Sequence, residues 1–168
     1  MTMRTLQVLI NGALVGTLRD EDNIWSFQYA ATWLESPSAF QLAPSLPLAT
    51  DWQVDGSSVR PVQWFFDNLL PEGGVRDFAA RALHVSPGNV FALLERFGGD
   101  TAGALALLPQ GQLPSPKPRY LPMTHEAVHK CFASSRGIPI NLAGGEARIA
   151  LAGAQDKMAV FIAPTGAM

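Results

Sequence analysis

Residues 61–109 read PVQWFFDNLLPEGGVRDFAARALHVSPGNVFALLERFGGDTAGALALLP, and their apolar spacing and proline positions predict the helical part of the fold. Residues 62–70 are compact and very apolar, and the proline after them disfavours helical geometry in the residue before it, which indicates a helix that stops there. Residues 72–83 and 89–97 repeat apolar side chains at helical spacing, and Ser86-Pro87 is a predicted cap and first-turn proline for the second stretch. We therefore expect three helices that pack on a common core.

Strand signals lie on both sides of these helices. Residues 4–10 and 13–18 are rich in β-favouring types and are joined by Asn11-Gly12, which is typical of a tight hairpin. Residues 25–29 alternate apolar and polar side chains, and residues 104–108 form a short apolar run, as expected of strands with a buried face. The predicted fold class is therefore α+β, with a small N-terminal β-sheet packed with a helical cluster.

Proline-rich stretches separate the predicted elements. Residues 43–61 carry prolines, an Asp-Gly pair and serines, and are predicted to be an extended connection. Residues 110–122 are again rich in proline, and we place a domain boundary there. Beyond it, Thr124 is the predicted cap of a helix that runs to about residue 134. Residues 147–151 and 158–162 are two predicted strands on either side of a loop of small residues.

The bulk composition is that of a globular protein. Hydrophobic residues make up 48% of the chain and charged residues 15%, far from the composition of disordered chains. The formal net charge of −2 gives no general electrostatic reason for binding to DNA or to a membrane. The single Cys131 excludes an internal disulfide framework, and the N-terminal apolar run is too short for a membrane span, so we expect a cytoplasmic protein.

Two linked motifs in this chain resemble HipA-family kinases. FFDNLLPE at residues 65–72, followed by GGDTAGAL at residues 98–105, is similar to the signature of the N-terminal subdomain of that family. ARIALAGAQDKMAVFI at residues 147–162 resembles the family's nucleotide-binding loop with its flanking strands. Because the two motifs occur together and in the family's order, the resemblance extends over nearly the whole chain.

The resemblance also implies a domain order. Residues 1–109 correspond to a HipA N-terminal subdomain, residues 110–122 to a proline-rich linker, and residues 123–168 to a partial kinase-like N-lobe with a nucleotide-loop hairpin. A family member continues into a large C-terminal kinase lobe, which is missing from this chain.

Family resemblance implies a serine/threonine protein kinase toxin of a bacterial toxin–antitoxin module, associated with persistence. Such kinases use ATP and magnesium and phosphorylate a protein target, of which glutamyl-tRNA synthetase is the best known. They are restrained by a small HipB-like helix-turn-helix antitoxin, which implies contact with DNA only through that partner. Phosphoryl transfer needs metal-holding residues and a carboxylate near the attacking hydroxyl, which we do not find in this sequence. We therefore expect the chain alone to be inactive and to bind little or no ATP.

The nucleotide loop implied by the resemblance consists of Ala152, Gly153, Ala154, Gln155, Asp156 and Lys157. Its small side chains would let backbone N–H groups approach phosphate oxygens, although on the residues alone a plain hairpin turn is the commoner structure. Ala150 stands at the position of the family's autophosphorylated serine, two residues before the loop. Since alanine has no hydroxyl, the regulatory switch that a phosphoserine operates is lost at this position.

Several weaker signals are interpreted as structural. Arg76-Asp77-Phe78 echoes a kinase motif but lies in a helical pattern, and residues 98–103 lack the Lys-Ser/Thr that a phosphate loop requires. His84 stands apart, whereas His125 and His129 lie four residues apart without a third ligand, so we expect no metal site.

A second function stays open beside the kinase fragment. In some three-component relatives the N-terminal subdomain is a separate chain that binds and inhibits its kinase, and this chain could be such an interaction protein. The aromatic residues Trp64, Phe65, Phe66 and Phe78 bear on this question. Filling the core is the usual role of such side chains, whereas an exposed apolar patch usually marks an interface.

Overall fold

The computed structural model describes residues 3–101, 103–114 and 122–134. Its strands are β1 (Met3–Ile10), β2 (Ala13–Glu21), β3 (Ile24–Tyr29), β4 (Gln53–Val54) and β5 (Leu105–Pro109). Its helices are α1 (Ala31–Leu34), α2 (Pro61–Asp67), α3 (Gly73–Ala82), α4 (Val90–Phe97) and α5 (His125–Ser134). The predicted α+β class is confirmed, whereas the two strands predicted at residues 147–151 and 158–162 lie outside the described residues.

Two tight hairpins build the centre of the sheet. Asn11 and Gly12 join β1 to β2 with φ angles of 50° and 83°, as a turn with two left-handed residues requires, which confirms the predicted hairpin. Asp22 and Asn23 join β2 to β3 with φ angles of 50° and 67°. The short polar side chains of Asn and Asp tolerate this geometry better than other residues with a Cβ atom.

The sheet has five strands in the order β4-β3-β2-β1-β5, and all neighbouring strands are antiparallel. The chain therefore returns from the helices to place β5 beside β1. The outer edge of β5 is partly covered, because the Leu107 N–H donates to the Gly98 carbonyl at 2.6 Å and Thr101 Oγ1 donates to the Leu105 carbonyl at 2.6 Å. An edge satisfied in this way offers little template for pairing with another strand.

The core lies between one face of the sheet and helices α2 and α4. Trp25 of β3 meets Phe91 of α4 edge-on at 5.2 Å between ring centroids, and Phe27 meets Phe66 of α2 at 5.5 Å. Phe27 and Phe66 are fully buried, as are the aliphatic side chains Leu6, Val8, Leu18, Leu94 and Leu107. Burial of this apolar surface is the main favourable contribution to folding.

The connection between α1 and β4 is tied to the sheet through the end of β3. The Tyr29 hydroxyl donates to the Leu46 carbonyl at 2.7 Å and accepts from the Leu42 N–H at 2.8 Å. The Gln28 side-chain amide donates to the Thr50 carbonyl at 2.7 Å. The loop-rich connection predicted at residues 43–61 is thus extended but held by β3, and it contains the short strand β4.

The helix ends differ from their predicted positions at two places. Asn89, rather than Ser86, caps α4, because Asn89 Oδ1 accepts the Ala92 N–H at 3.3 Å, whereas Ser86 Oγ accepts the Gly88 N–H within the preceding turn. Helix α2 ends at Asp67 rather than at residue 70, since the next residues form tight i to i−3 hydrogen bonds. The predicted cap of α5 is confirmed by the bond from the Ala127 N–H to Thr124 Oγ1 at 3.1 Å.

Candidate functional site around helix α2

The predicted nucleotide-loop residues lie outside the described part of the chain. This holds for Ala152, Gly153, Ala154, Gln155, Asp156 and Lys157, and for Ala150 before them. Their assignment therefore stays a prediction. Within the described residues, Asp55 and Arg76 contact the two ends of helix α2, which contains the first residues of the signature motif at residues 65–72.

Asp55 holds the N-terminus of α2 from outside the helix. Arg60 occupies the N-cap position and makes no side-chain capping bond, while Pro61 opens the helix. The Val62 N–H donates to Asp55 Oδ1 at 2.8 Å, and the Gln63 N–H donates to Asp55 Oδ2 at 2.9 Å. These are the N–H groups that an N-cap side chain normally satisfies. Asp55 therefore replaces the missing cap and fixes where α2 begins.

We expect Asp55→Ala to lower the free energy of unfolding by about 2 kcal/mol, because it leaves two N–H groups of α2 without their acceptor. Urea unfolding followed by circular dichroism measures this change. The matched control is Asp51→Ala, which removes an exposed carboxylate from the same loop. Equal stability of the two variants would contradict the capping role of Asp55.

Because the pKa of the Asp55 carboxyl is shifted, the free energy of unfolding is expected to depend on pH. Burial raises the pKa of Asp55 above its ordinary value, against the opposing effect of the Gln63 and Val62 N–H groups and of the Arg60 charge. A raised folded pKa contributes stability that is fully present below the unfolded pKa of about 3.9 and is lost as the pH rises through the folded value. The stability of the wild type relative to Asp55→Asn should therefore fall as the pH rises above about 4.

Arg76 fixes the other end of α2. From helix α3 its Nη2 donates to Asp67 Oδ1 at 2.5 Å and to the Asp67 carbonyl at 3.3 Å, and its Nε donates to the Pro71 carbonyl at 2.9 Å. One guanidinium thus satisfies acceptors on both sides of the turn that follows α2, which the point charge of a lysine could not do. The predicted helical interpretation of Arg76-Asp77-Phe78 is confirmed, since all three lie in α3.

The outward face of α2 carries an exposed aromatic side chain. Val62 and Phe66 are buried on the inner face, whereas Trp64 is 54% exposed. Phe65 is partly buried and packs edge-on against Phe66 at 5.0 Å. Of the two roles left open for the aromatic residues of this motif, core filling applies to Phe66, whereas Trp64 is exposed.

A cleft of about 390 Å³ lies between α4 and the start of β1, beside α2, and Arg4 and Asn89 belong to its lining. Arg4 makes an ion pair with the buried Asp20, donates to Asn89 Oδ1 at 3.3 Å, and lies 4.6 Å from the Phe91 ring centroid. Asp20 Oδ1 accepts no hydrogen bond from the described residues. Because Asp20 neutralises the Arg4 charge, this cleft is a poor anion site despite its guanidinium.

The glycine-rich segment at residues 98–103 and the three histidines have structural positions where the structure describes them. Helix α4 is followed by residues 98–101 and 103, which lead into β5. The Gly98 carbonyl accepts the hydrogen bond from the Leu107 N–H at the outer edge of β5. His84 ends the turn after α3 with a φ of 56°, and His125 and His129 are on α5. Within the described ranges, no group of three or more His, Cys, Asp or Glu side chains could hold a metal ion. No helix there is long and apolar enough to cross a membrane.

Asp55 and Arg76 are the two supporting residues that the sequence analysis missed. A signal for Asp55 exists in retrospect: Arg60 cannot cap a helix that begins with Pro61, so an acceptor from elsewhere is required. Arg76 carries no comparable signal, since an arginine in a helical pattern is usually solvated.

Comparison with known proteins connects this arrangement to one family. A family model described as the HipA N-terminal domain matches residues 6–108, which reach from β1 to β5. The chain is 38% identical over 169 residues to the putative kinase Y4mE of Sinorhizobium fredii, covering 96% of this chain and 39% of that protein. It is 32% identical over 160 residues to the serine/threonine-protein kinase toxin HipA of Shewanella oneidensis, covering 94% of this chain and 35% of that protein.

A solved structure agrees with these sequence matches. It is the complex of HipA, HipB and operator DNA from Shewanella oneidensis, whose matching chain is 31% identical with a TM-score of 0.64. The match covers 82% of this chain and 31% of that chain. The present chain therefore spans under two fifths of the length of these curated relatives.

Proposed function

Because this chain belongs to the HipA N-terminal domain family, we propose that it is the N-terminal portion of a HipA-like serine/threonine protein kinase toxin. The observation that carries this proposal is the family match over residues 6–108, together with relatives that are named kinases and of which this chain covers under two fifths. In this role the five-stranded sheet and its helices support and regulate a catalytic lobe. Among the described residues, Asp55 and Arg76 fix the two ends of α2 in that scaffold.

The partner we propose is a HipB-like antitoxin. The related solved structure contains HipA, HipB and operator DNA. Residues 3–114 contain six arginines, no lysine and eleven carboxylates, a balance of −5. A surface of this sign repels DNA phosphates, which supports contact with DNA through the antitoxin rather than directly.

The complete kinase would use ATP and magnesium. In the loop that the family resemblance implies, the backbone N–H groups at Ala152, Gly153 and Ala154 and the Lys157 ammonium would be the donors for phosphate oxygens. ATP would supply the phosphoryl group, and these residues would orient it toward a protein hydroxyl. A glutamyl-tRNA synthetase is the target that we propose to test first.

The proposal is tested by reading the gene beyond residue 168 and expressing the complete protein. We expect the complete protein to transfer phosphate from ATP with magnesium to glutamyl-tRNA synthetase and to co-purify with the helix-turn-helix protein encoded beside it. The 168-residue chain should show no transfer, because in this proposal the groups that hold metal and position the hydroxyl belong to a catalytic lobe outside these residues. A complete protein without kinase activity on any protein hydroxyl would overturn the proposal.

The alternative, a stand-alone inhibitor of a separate kinase chain, has one supporting observation. Residues 3–114 form a sheet with a closed core and a covered β5 edge of their own. A gene that stops at residue 168 beside a gene for a kinase would favour this alternative. The decisive measurement is then inhibition of that kinase by the purified chain.

A further inference from the structure

We propose that the cleft beside the start of helix α4 binds an uncharged, proline-rich peptide segment of a protein partner through the carbonyl groups of that segment. The cleft lies between Arg4 of β1, Asn23 of the β2–β3 turn, Gln63 of α2 and the residues that lead into α4. Its volume of about 390 Å³ is in the lower part of the range of about 300–1,000 Å³ that ligand sites have. It therefore has room for a short segment of chain.

The wall of the cleft at the start of α4 presents hydrogen-bond donors. Asn89 Oδ1 accepts the Ala92 N–H at 3.3 Å and Arg4 Nη1 at 3.3 Å. Because two donors hold the oxygen end of this carboxamide, its Nδ2 end is fixed as the remaining donor. Ser86 Oγ accepts the Gly88 N–H at 3.2 Å, so the hydroxyl hydrogen of Ser86 is also left to donate.

The wall formed by α2 presents a donor of the same kind. Gln63 Oε1 accepts Arg60 Nη1 at 3.0 Å, which leaves the Nε2 end of Gln63 to donate. The same nitrogen of Arg60 donates to the Asn23 carbonyl at 3.2 Å and so ties this wall to the β2–β3 turn. The carboxamides of Gln63 and Asn89 are half-buried and held by bonds within the chain. Little conformational entropy is therefore lost when they bind a ligand.

Charge and burial limit the ligand to an uncharged acceptor. Arg4 is ion-paired with the buried Asp20, so the cation in the lining is neutralised, and the balance of −5 over residues 3–114 disfavours anions further. A planar aromatic ligand would find no ring face to stack on, since Trp25 and Phe91 are 2% and 1% exposed. The cleft therefore suits a ligand that accepts hydrogen bonds and carries no charge.

A proline-rich segment is the kind of peptide that presents acceptors without donors. Proline has no N–H group, and the extended helix that prolines favour has no internal hydrogen bonds, so its carbonyl groups are free to accept. An ordinary extended peptide brings N–H groups as well as carbonyls to any surface that it meets. In the cleft those N–H groups would meet carboxamides whose oxygen ends are already engaged, at Asn89 and at Gln63.

The probe is a blocked proline peptide of about six residues, titrated into the ¹⁵N-labelled 168-residue chain and followed by NMR. We expect the side-chain NH₂ signals of Asn89 and Gln63 to shift together and to give one Kd. Asn89→Asp and Gln63→Glu keep the oxygen ends that bind within the chain and remove only the donor ends, so each should raise the Kd about fivefold. The matched control is Gln110→Glu, the same amide-to-carboxylate change at an exposed residue after β5, which should leave the Kd unchanged.

Four results would overturn the inference. One is the absence of a shift in the side-chain signals of Asn89 and Gln63, and another is an equal Kd for Gln63→Glu and Gln110→Glu. The third is tighter binding of acetate or inorganic phosphate than of the proline peptide, since the cleft would then be an anion site. The fourth is peptide binding that appears only after Pro116 and Pro118 are replaced by alanine, since the chain's own linker would then occupy the cleft. None of these measurements involves phosphate transfer, so failure here is distinguishable from failure of the proposed function.

Discussion

Replacing Gly16 with alanine is expected to lower the free energy of unfolding by about 3 kcal/mol, the upper part of the range for overpacked cores. Gly16 lies in β2, between Val8 of β1 and Tyr29 of β3. A Cβ atom at this position would lie 2.3 Å from the Gln28 carbonyl oxygen and 2.6 Å from Cζ of the Phe27 ring. Neither neighbour can yield easily, because one is backbone of a paired strand and the other is a fully buried ring.

The measurement is equilibrium unfolding in urea, with circular dichroism as the probe. Gly74→Ala is the matched control, because Gly74 lies in α3 and a Cβ atom there would meet nothing within 4 Å. In a helix that substitution should raise stability by about 0.5–1 kcal/mol. If Gly16→Ala were as stable as the wild type, the packing of β2 against β3 described above would be wrong.

Elements with a strong local signal could be predicted from the sequence. The Asn11-Gly12 hairpin, the strands on either side of it and helix α4 all occur where the pattern placed them, with ends shifted by up to three residues. In each case the signal is local: a turn that needs left-handed residues, or an apolar repeat that matches one secondary structure. Thr124 caps α5 for the same reason.

The features that the sequence did not predict depend on distant contacts. Strand β4 has only two residues and exists because they pair with Ser26 and Phe27 of β3. Asp55 acts as a cap for α2 because the β3–β4 pairing brings it to the helix, with its N–H donating to the Trp25 carbonyl at 2.8 Å. The unsuitable N-cap residue Arg60 indicates only that an acceptor has to come from elsewhere. Which residue provides it is determined by the tertiary fold.

In the candidate site, too, the local motif could be predicted from the sequence, whereas the orientation of its side chains could not. The aromatic motif of α2 could be recognised from its sequence, but which aromatic faces outward depends on how the helix is placed on the sheet. Phe66 lies against Phe27, and this contact turns Trp64 toward solvent. The nucleotide loop rests on its resemblance to a family motif, and its residues lie outside the described part of the chain.

In the complete kinase proposed above, Ala150→Ser is expected to create an autophosphorylation site at residue 150. The resemblance places residue 150 at the family's modified serine, two residues before the loop that begins at Ala152. A serine hydroxyl there can accept phosphate from ATP, and the phosphate adds a charge of about −1.5 to −2 at neutral pH. That charge would expel the loop from the nucleotide site, so kinase activity should fall as phosphate is incorporated.

The experiment incubates the complete wild-type and Ala150→Ser proteins with ATP and magnesium, then measures phosphate per chain by intact mass and locates it by peptide mapping. We expect up to about one phosphate per chain in the variant, located at residue 150, and a matching loss of target phosphorylation. Ala147→Ser is the matched control, since it adds the same hydroxyl three residues earlier and should stay unmodified. An unmodified Ala150→Ser protein with an active kinase lobe would show that this loop does not approach the nucleotide as the family resemblance implies, because a hydroxyl held near the transferred phosphoryl group should react.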